Sequence, residues 1–254
     1  MNNIWAITKL NLRNIKPAYV ISGILAGVML LQIAIPAIGY YGFHASWAMT
    51  AGSRVLDSDT GTWVTSISSY TISLSWYTWL LIWIAALWVA GRNYGCILRL
   101  GGKRRSFLSG SFATYVLLAG AASLIVTVAY YALDRPLTKL AVLGGFIAPP
   151  DVFGWDAHGP VMVFIEQFAV LLLLAALVHT FKAALGHWYG YVAVGVVAAL
   201  VAVFSSITPL RHLEGRFFVT LLFGGNPALQ IVVCLVLAAA IYALSKPILD
   251  RTPV

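Results

Sequence analysis

The chain has 254 residues, of which 61% are hydrophobic and 9% charged, and its formal net charge is +8. A soluble domain is about 25% charged and about 45–50% apolar. The balance excludes a soluble enzyme, a disordered chain and a disulfide-stapled secreted domain, and leaves a polytopic membrane protein.

Residues 1–16 read as an amphipathic helix. Ile4, Trp5, Ile7, Leu12 and Ile15 share one broad face, whereas Lys9, Arg13 and Lys16 cluster on another. Such a helix is suited to lie in the interfacial plane of a bilayer. Six segments then approach the roughly 20 apolar residues that cross a hydrocarbon core. They run over about 18–42, 70–91, 106–133, 160–181, 188–210 and 227–245. The first is too long for a signal-peptide core and lacks a clear cleavage site, so it is expected to be retained. Gly224-Gly225-Asn226-Pro227 interrupts the apolar stretch that begins at Phe217, and Pro227 can open the last span at its first turn. Leu213 to Phe223 is therefore expected as a separate short segment, either re-entrant or a surface loop. The expected fold class is all-α: one transmembrane domain over 1–254 with six spans, an interfacial N-terminal helix and this short segment between spans five and six.

The basic residues give the orientation. With the N-terminus inside, one side collects Lys9, Arg13, Lys16, Arg92, Arg99, Lys103, Arg104, Arg105, Lys182, Lys246 and Arg251. The other side holds Arg54, Arg135, Lys139, Arg211 and Arg216, together with six of the eight acids. The positive-inside rule then puts both termini in the cytoplasm. The charge is thus a topology signal, and no nucleic-acid partner is expected.

The loop between spans two and three, Gly91 to Phe107, is the longest strongly basic stretch on that side. Asn93 to Leu100 can form a short helix that Gly101-Gly102 would stop. A helix in that place can dock on a soluble partner, or its cluster Lys103-Arg104-Arg105 can anchor the loop to anionic headgroups. In span two, Trp76, Trp79 and Trp83 fall on one helical face. They are expected as interfacial or helix-contact aromatics, or as the lining of a path for an amphiphile. Glu166 is the one acid inside an expected span and is a candidate for substrate contact or gating. His179 and His187 are expected as interfacial histidines. The glycine pairs Gly23/Gly27 and Gly186/Gly190 are expected at close helix contacts. Cys96 and Cys234 fit neither a disulfide nor a metal pattern, and no metal cluster, nucleophile elbow or paired catalytic carboxylates are found.

The amphipathic start, the six spans and the run Leu100-Gly101-Gly102-Lys103-Arg104-Arg105-Ser106-Phe107-Leu108-Ser109-Gly110 resemble permease subunits of type-2 ABC exporters. In that family a similar run leads from a coupling helix into span three. The resemblance covers the whole chain in layout. It implies an exporter subunit in a bacterial plasma membrane, moving an amphipathic peptide, drug, lipid or glycan by alternating access. It also implies a separate cytoplasmic ABC ATPase that binds ATP and Mg, and a second permease copy or a homologous permease. Asn93, Tyr94, Ile97, Leu98, Arg99, Lys103, Arg104 and Arg105 would couple the spans to the ATPase. An acid common at the start of the family's coupling helix is missing, since no Asp or Glu lies between Leu74 and Leu133. The chain has no Walker A motif of its own, because Gly102-Lys103 is followed by Arg104. No catalytic residue, metal or cofactor is therefore expected in this chain.

Two other classes fit the same composition: a membrane scaffold or sensor that transports nothing, and an ion-coupled secondary transporter. The second usually needs carboxylates within the membrane, and Glu166 alone is a poor relay.

Overall fold

A computed structural model describes residues 2–28, 53–56, 63–66, 70–136, 155–188, scattered positions from 190 to 202, and 226–250. Its long elements are α-helices: α1 (Asn2–Asn14), α2 (Lys16–Val28), α3 (Tyr70–Trp88), α4 (Tyr94–Arg99), α5 (Arg104–Ala129), α6 (Pro160–Ala184) and α7 (Pro227–Asp250). A short antiparallel hairpin, β1 (Ser53–Leu56) with β2 (Trp63–Ser66), sits between α2 and α3, with Ser53 opposite Ser66 and Leu56 opposite Trp63.

Four stretches among the described residues are long and apolar enough to cross a membrane: Tyr77–Arg99, Arg104–Ala132, Pro160–Ala184 and Pro227–Asp250. Their outward residues are apolar as well. Leu117, Leu124, Ile125 and Val128 on α5, and Leu229, Val232, Val236 and Leu244 on α7, are all exposed. A surface of that kind is stable against lipid and unstable against water, so the chain is a membrane-embedded helical protein. Most of expected span five, the second half of span one and the segment 213–223 lie outside the described residues.

Helix α6 is the centre of the bundle and packs on α3, α5 and α7. Of its most apolar window, 56% is buried, against 22% for α7, which leaves α7 at the rim. The start signals hold. Pro160 occupies the first turn of α6. Asn226 Oδ1 accepts the backbone amides of Ala228 and Leu229 at 3.1 and 3.4 Å, so Asn226 caps α7 and Pro227 follows at its first position.

Two helix boundaries differ from the expectation. Span two does not end at Gly91. A π-helical turn, Val89–Asn93, carries the chain straight from α3 into α4, so the expected loop helix is a continuation of the span. Nothing before Gly101 breaks the helix, and Gly91 leaves room for the aliphatic stem of Lys182; a Cβ there would stand 3.0 Å from Lys182 Cε. At the other end of α5, a second π turn, Tyr130–Asp134, covers the expected end of span three at 133. Helix α7 runs past Ser245 to Asp250 with Pro247 inside it.

Gly23 and Gly27 have no atom within 4 Å of a Cβ position, so they mark no close helix contact among the described residues. Gly190 is crowded within its own turn, where a Cβ would fall on the carbonyl oxygen of Ala184 at the end of α6.

Candidate functional site at the basic elbow

The turn between α4 and α5 is built by glycine. Gly101 takes φ +78°, a left-handed conformation that glycine adopts without the strain of a side chain. The amide of Gly101 donates to Leu98 O and that of Gly102 to Ile97 O, both at 2.9 Å. These two bonds form a Schellman stop. A Cβ on Gly102 would sit 2.5 Å from Ile97 Cγ2, so the second glycine is required by contact. Lys103 is extended, and α5 begins at Arg104.

Two basic residues at a helix N-terminus oppose the macrodipole. Arg104 is compensated by the opposite pole of another helix: its guanidinium donates to the carbonyls of Leu249, at 3.1 Å, and Asp250, at the end of α7. Tyr94 Oη donates to the same Leu249 carbonyl at 2.8 Å, and His187 Nε2 lies 3.2 Å from Ile248 O. Side chains from α4, from the start of α5 and from the turn after α6 thus satisfy carbonyls that a helix C-terminus leaves open.

Phe107 is fully buried between Tyr94, in edge contact at 5.0 Å between centroids, and His179, stacked at 6.2 Å. Gly110 is where α1 crosses α5: a Cβ there would meet Ile7 Cγ2 at 2.6 Å. Thr8 Oγ1 donates to Gly110 O at 3.1 Å. In the run from Leu100 to Gly110, both glycines of the turn, Arg104, Phe107 and Gly110 therefore each have an intramolecular role.

Helix α1 docks by a face that differs from the expected one. Ile7, Thr8, Asn11 and Ile15 point inward, whereas Trp5 is exposed and Ile4 partly so. Asn11 is 0% exposed. Its Nδ2 lies 3.5 Å from Ser111 Oγ and 3.3 Å from Thr114 Oγ1 on α5. Asn93 Nδ2 donates to Asn11 Oδ1 at 3.0 Å, and Asn14 Nδ2 donates to Asn93 Oδ1 at 3.2 Å. The π turn before α4 and the N-terminal helix are thereby joined through buried amides. Hydrophobic periodicity missed Thr8 and Asn11 because it assigns polar residues outward; two polar residues three apart at 8 and 11 were the available signal.

The elbow residues divide by orientation. Asn93, Tyr94 and Ile97 are buried and Arg104 is spent on α7, whereas Arg99, Lys103 and Arg105 are exposed, and Leu98 is half-buried. Leu100, beside the stop, is 76% exposed. Arg92 lies over the Trp88 ring, 5.4 Å from its centroid. The tryptophans of α3 diverge in the same way: Trp79 packs against the core, Trp83 faces outward, and the side chain of Trp76 lies outside the described residues.

His179 is not interfacial. It is fully buried in the bundle, where its Nδ1 and the Tyr115 hydroxyl share a 2.7 Å hydrogen bond and the Tyr242 ring stands 5.0 Å away. Tyr242 in turn donates to Leu108 O at 2.8 Å, tying α7 to α5. Glu166 lies at the far end of the bundle from the elbow, 5% exposed, with Oε1 3.2 Å from His158 Nδ1. Tyr131 Oη donates to His158 O at 2.6 Å, so the pair is held against the second π turn. Among the described residues, no group of three or more His, Cys, Asp or Glu could hold a metal ion.

No protein-family model, no curated protein and no solved structure matches this chain.

Proposed function

We propose that this chain is the permease subunit of a type-2 ABC exporter, with six spans and both termini in the cytoplasm, and that the elbow receives the motion of a separate ATPase. One observation carries the reading: α4 continues α3 without a break, and Tyr94 of α4 and Arg104 at the start of α5 both bond the end of α7. A force applied at the Gly101 turn is therefore delivered to α3, α5 and α7 together. Arg99, Lys103 and Arg105 face outward to meet the partner, while Asn93, Tyr94, Ile97 and Arg104 transmit the motion inward.

In this reading ATP and Mg bind to the ATPase, and this chain supplies no catalytic residue. The substrate path lies between two permease subunits and carries an amphipathic molecule out of the cell by alternating access. The basic residues of α1, the elbow and the end of α6 gather at one end of the bundle, which supports a shared cytoplasmic side.

A membrane scaffold or sensor is the second reading. It is favoured by the inward use of Asn93, Tyr94 and Ile97, which leaves a smaller surface for a partner. Co-purification distinguishes the two. A stoichiometric soluble ATPase, stimulated by this chain and uncoupled by Arg99→Glu with Arg105→Glu while membrane insertion is retained, is the exporter result. Absence of any such ATPase sinks that proposal.

A further inference from the structure

A cleft of about 360 Å³ opens between α1 and the elbow, lined chiefly by Ile7, Leu10, Ile97, Leu100 and Lys103, with the two glycines of the turn as its floor. The volume lies within the range of small-molecule sites, roughly 300–1,000 Å³. Its walls are aliphatic and its one charged lining residue is a lysine. The surroundings share that sign. Lys9 and Arg13 are exposed on α1, Arg99 and Arg105 are exposed beside the turn, and no acid occurs before Asp57 or between Leu74 and Leu133. Asp250, exposed at the end of α7, is an acid at this end of the bundle and does not line the cleft.

We propose that this cleft binds one anionic phospholipid, with an acyl chain against Ile7, Leu10 and Ile97 and the headgroup phosphate at Lys103. Three features select a lipid over an acidic protein segment. The cleft lies at the end of membrane-spanning helices. Its mouth carries Leu100, which is 76% exposed, and Trp5 on the same α1 is 64% exposed; aliphatic and indole side chains of this kind suit the headgroup boundary. The walls offer a tail-sized apolar contact that an acidic peptide would leave partly unused. The site does not depend on the exporter reading, only on membrane embedding.

Native mass spectrometry of the full chain, released from nanodiscs holding equal amounts of phosphatidylglycerol and phosphatidylcholine with matched acyl chains, tests this. One phosphatidylglycerol per chain is expected to persist in preference to phosphatidylcholine. Lys103→Glu should lower that preference at least about fivefold, the loss expected for one basic side chain near an anionic surface. Ala6→Trp, at an exposed position on the cleft wall, should lower retention of both lipids by filling the space. Arg135→Glu, at the far end of the bundle, should leave the preference unchanged. Equal retention of the two lipids by the wild type overturns the site. So does an Arg135→Glu loss as large as that of Lys103→Glu, which would mean general charge attraction. Binding of a Glu-rich peptide that depends on Lys103 and persists without phosphatidylglycerol also overturns it. Should Lys103→Glu fail to insert, the Ala6→Trp result decides alone, and unchanged retention there refutes the site.

Discussion

Asn93 Nδ2 donates to Asn11 Oδ1 at 3.0 Å across 82 positions of sequence, and both side chains are buried. The pair joins the π turn in the first of the four described membrane stretches to the docked N-terminal helix. Removing one partner leaves the other as a buried polar group without its bond, which costs about 1–3 kcal/mol. Asn11→Ala also withdraws the donor that reaches Ser111 and Thr114. We expect a clear fall in the thermal midpoint of the detergent-solubilised chain for Asn11→Ala. Asn14→Ala, which loses only a half-buried contact to Asn93, should change it far less. Equal effects would mean that the amide network is not what holds α1.

Gly110 gives a steric test of the same contact. The nearest atoms to an added Cβ are Ile7 Cγ2 at 2.6 Å and Ile7 Cβ at 2.8 Å, the latter too close to the helix backbone to swing aside. Gly110→Ala should therefore push α1 off α5, although alanine is the better helix former. The expected readout is faster amide hydrogen exchange across Asn2–Asn14, with α6 unchanged. Shortening the obstructing side chain by Ile7→Ala should partly restore protection to the Gly110→Ala chain. Wild-type exchange in Gly110→Ala would exclude the close crossing.

The turn and the starts of α6 and α7 were legible because few residues satisfy their backbone requirements. A left-handed stop wants glycine, and proline suits a first helical turn. The extension of α3 into α4 was not legible, because Gly91 and the basic run after it read as a loop, whereas a membrane helix tolerates an isolated glycine and here continues through a π turn. The buried face of α1 was misjudged for a reason specific to membrane bundles. Apolar periodicity finds the surface that avoids water, yet here lipid can take Trp5 and Ile4 while the packed interior takes amides that bond one another. The same inversion hid the burial of His179, whose partner Tyr115 lies on a different helix.

The clamp on α7 makes a third expectation. Tyr94 and Arg104 both bond the Leu249 carbonyl, and Arg104 also reaches that of Asp250. Tyr94→Phe removes one neutral bond, worth about 0.5–1.5 kcal/mol. Arg104→Ala removes a charged donor from the negative pole of a helix, an interaction of about 0.3–1 kcal/mol in exposed settings and up to about 2 when partly buried. The double variant should fray the last turn of α7, seen as faster exchange at Ile248, Leu249 and Asp250. The N-terminal half of α7, capped by Asn226, should keep its protection. Fraying at both ends would point to general unfolding instead of a local clamp.

Glu166 and His158 provide the last test, at the opposite end of the bundle. Glu166 is buried, its Oε1 faces His158 Nδ1 at 3.2 Å, and His158 is itself anchored through its carbonyl to Tyr131. A buried carboxylate that loses its partner is more costly than the pair is favourable. His158→Ala should therefore destabilise the chain more than Glu166→Gln, which removes the charge and keeps the shape. Once Glu166 is Gln, the His158→Ala substitution has no carboxylate left to strand, and its cost should shrink. Residues in direct contact show coupling of about 0.5–3 kcal/mol in such a cycle. Thermal midpoints of the wild type, both single variants and the double variant measure it. A His158→Ala cost that is the same in both backgrounds would mean that the two side chains are neighbours without mutual support. Glu166 would then stand as an unpaired acid inside a membrane helix, which is the setting an ion-coupled transporter uses.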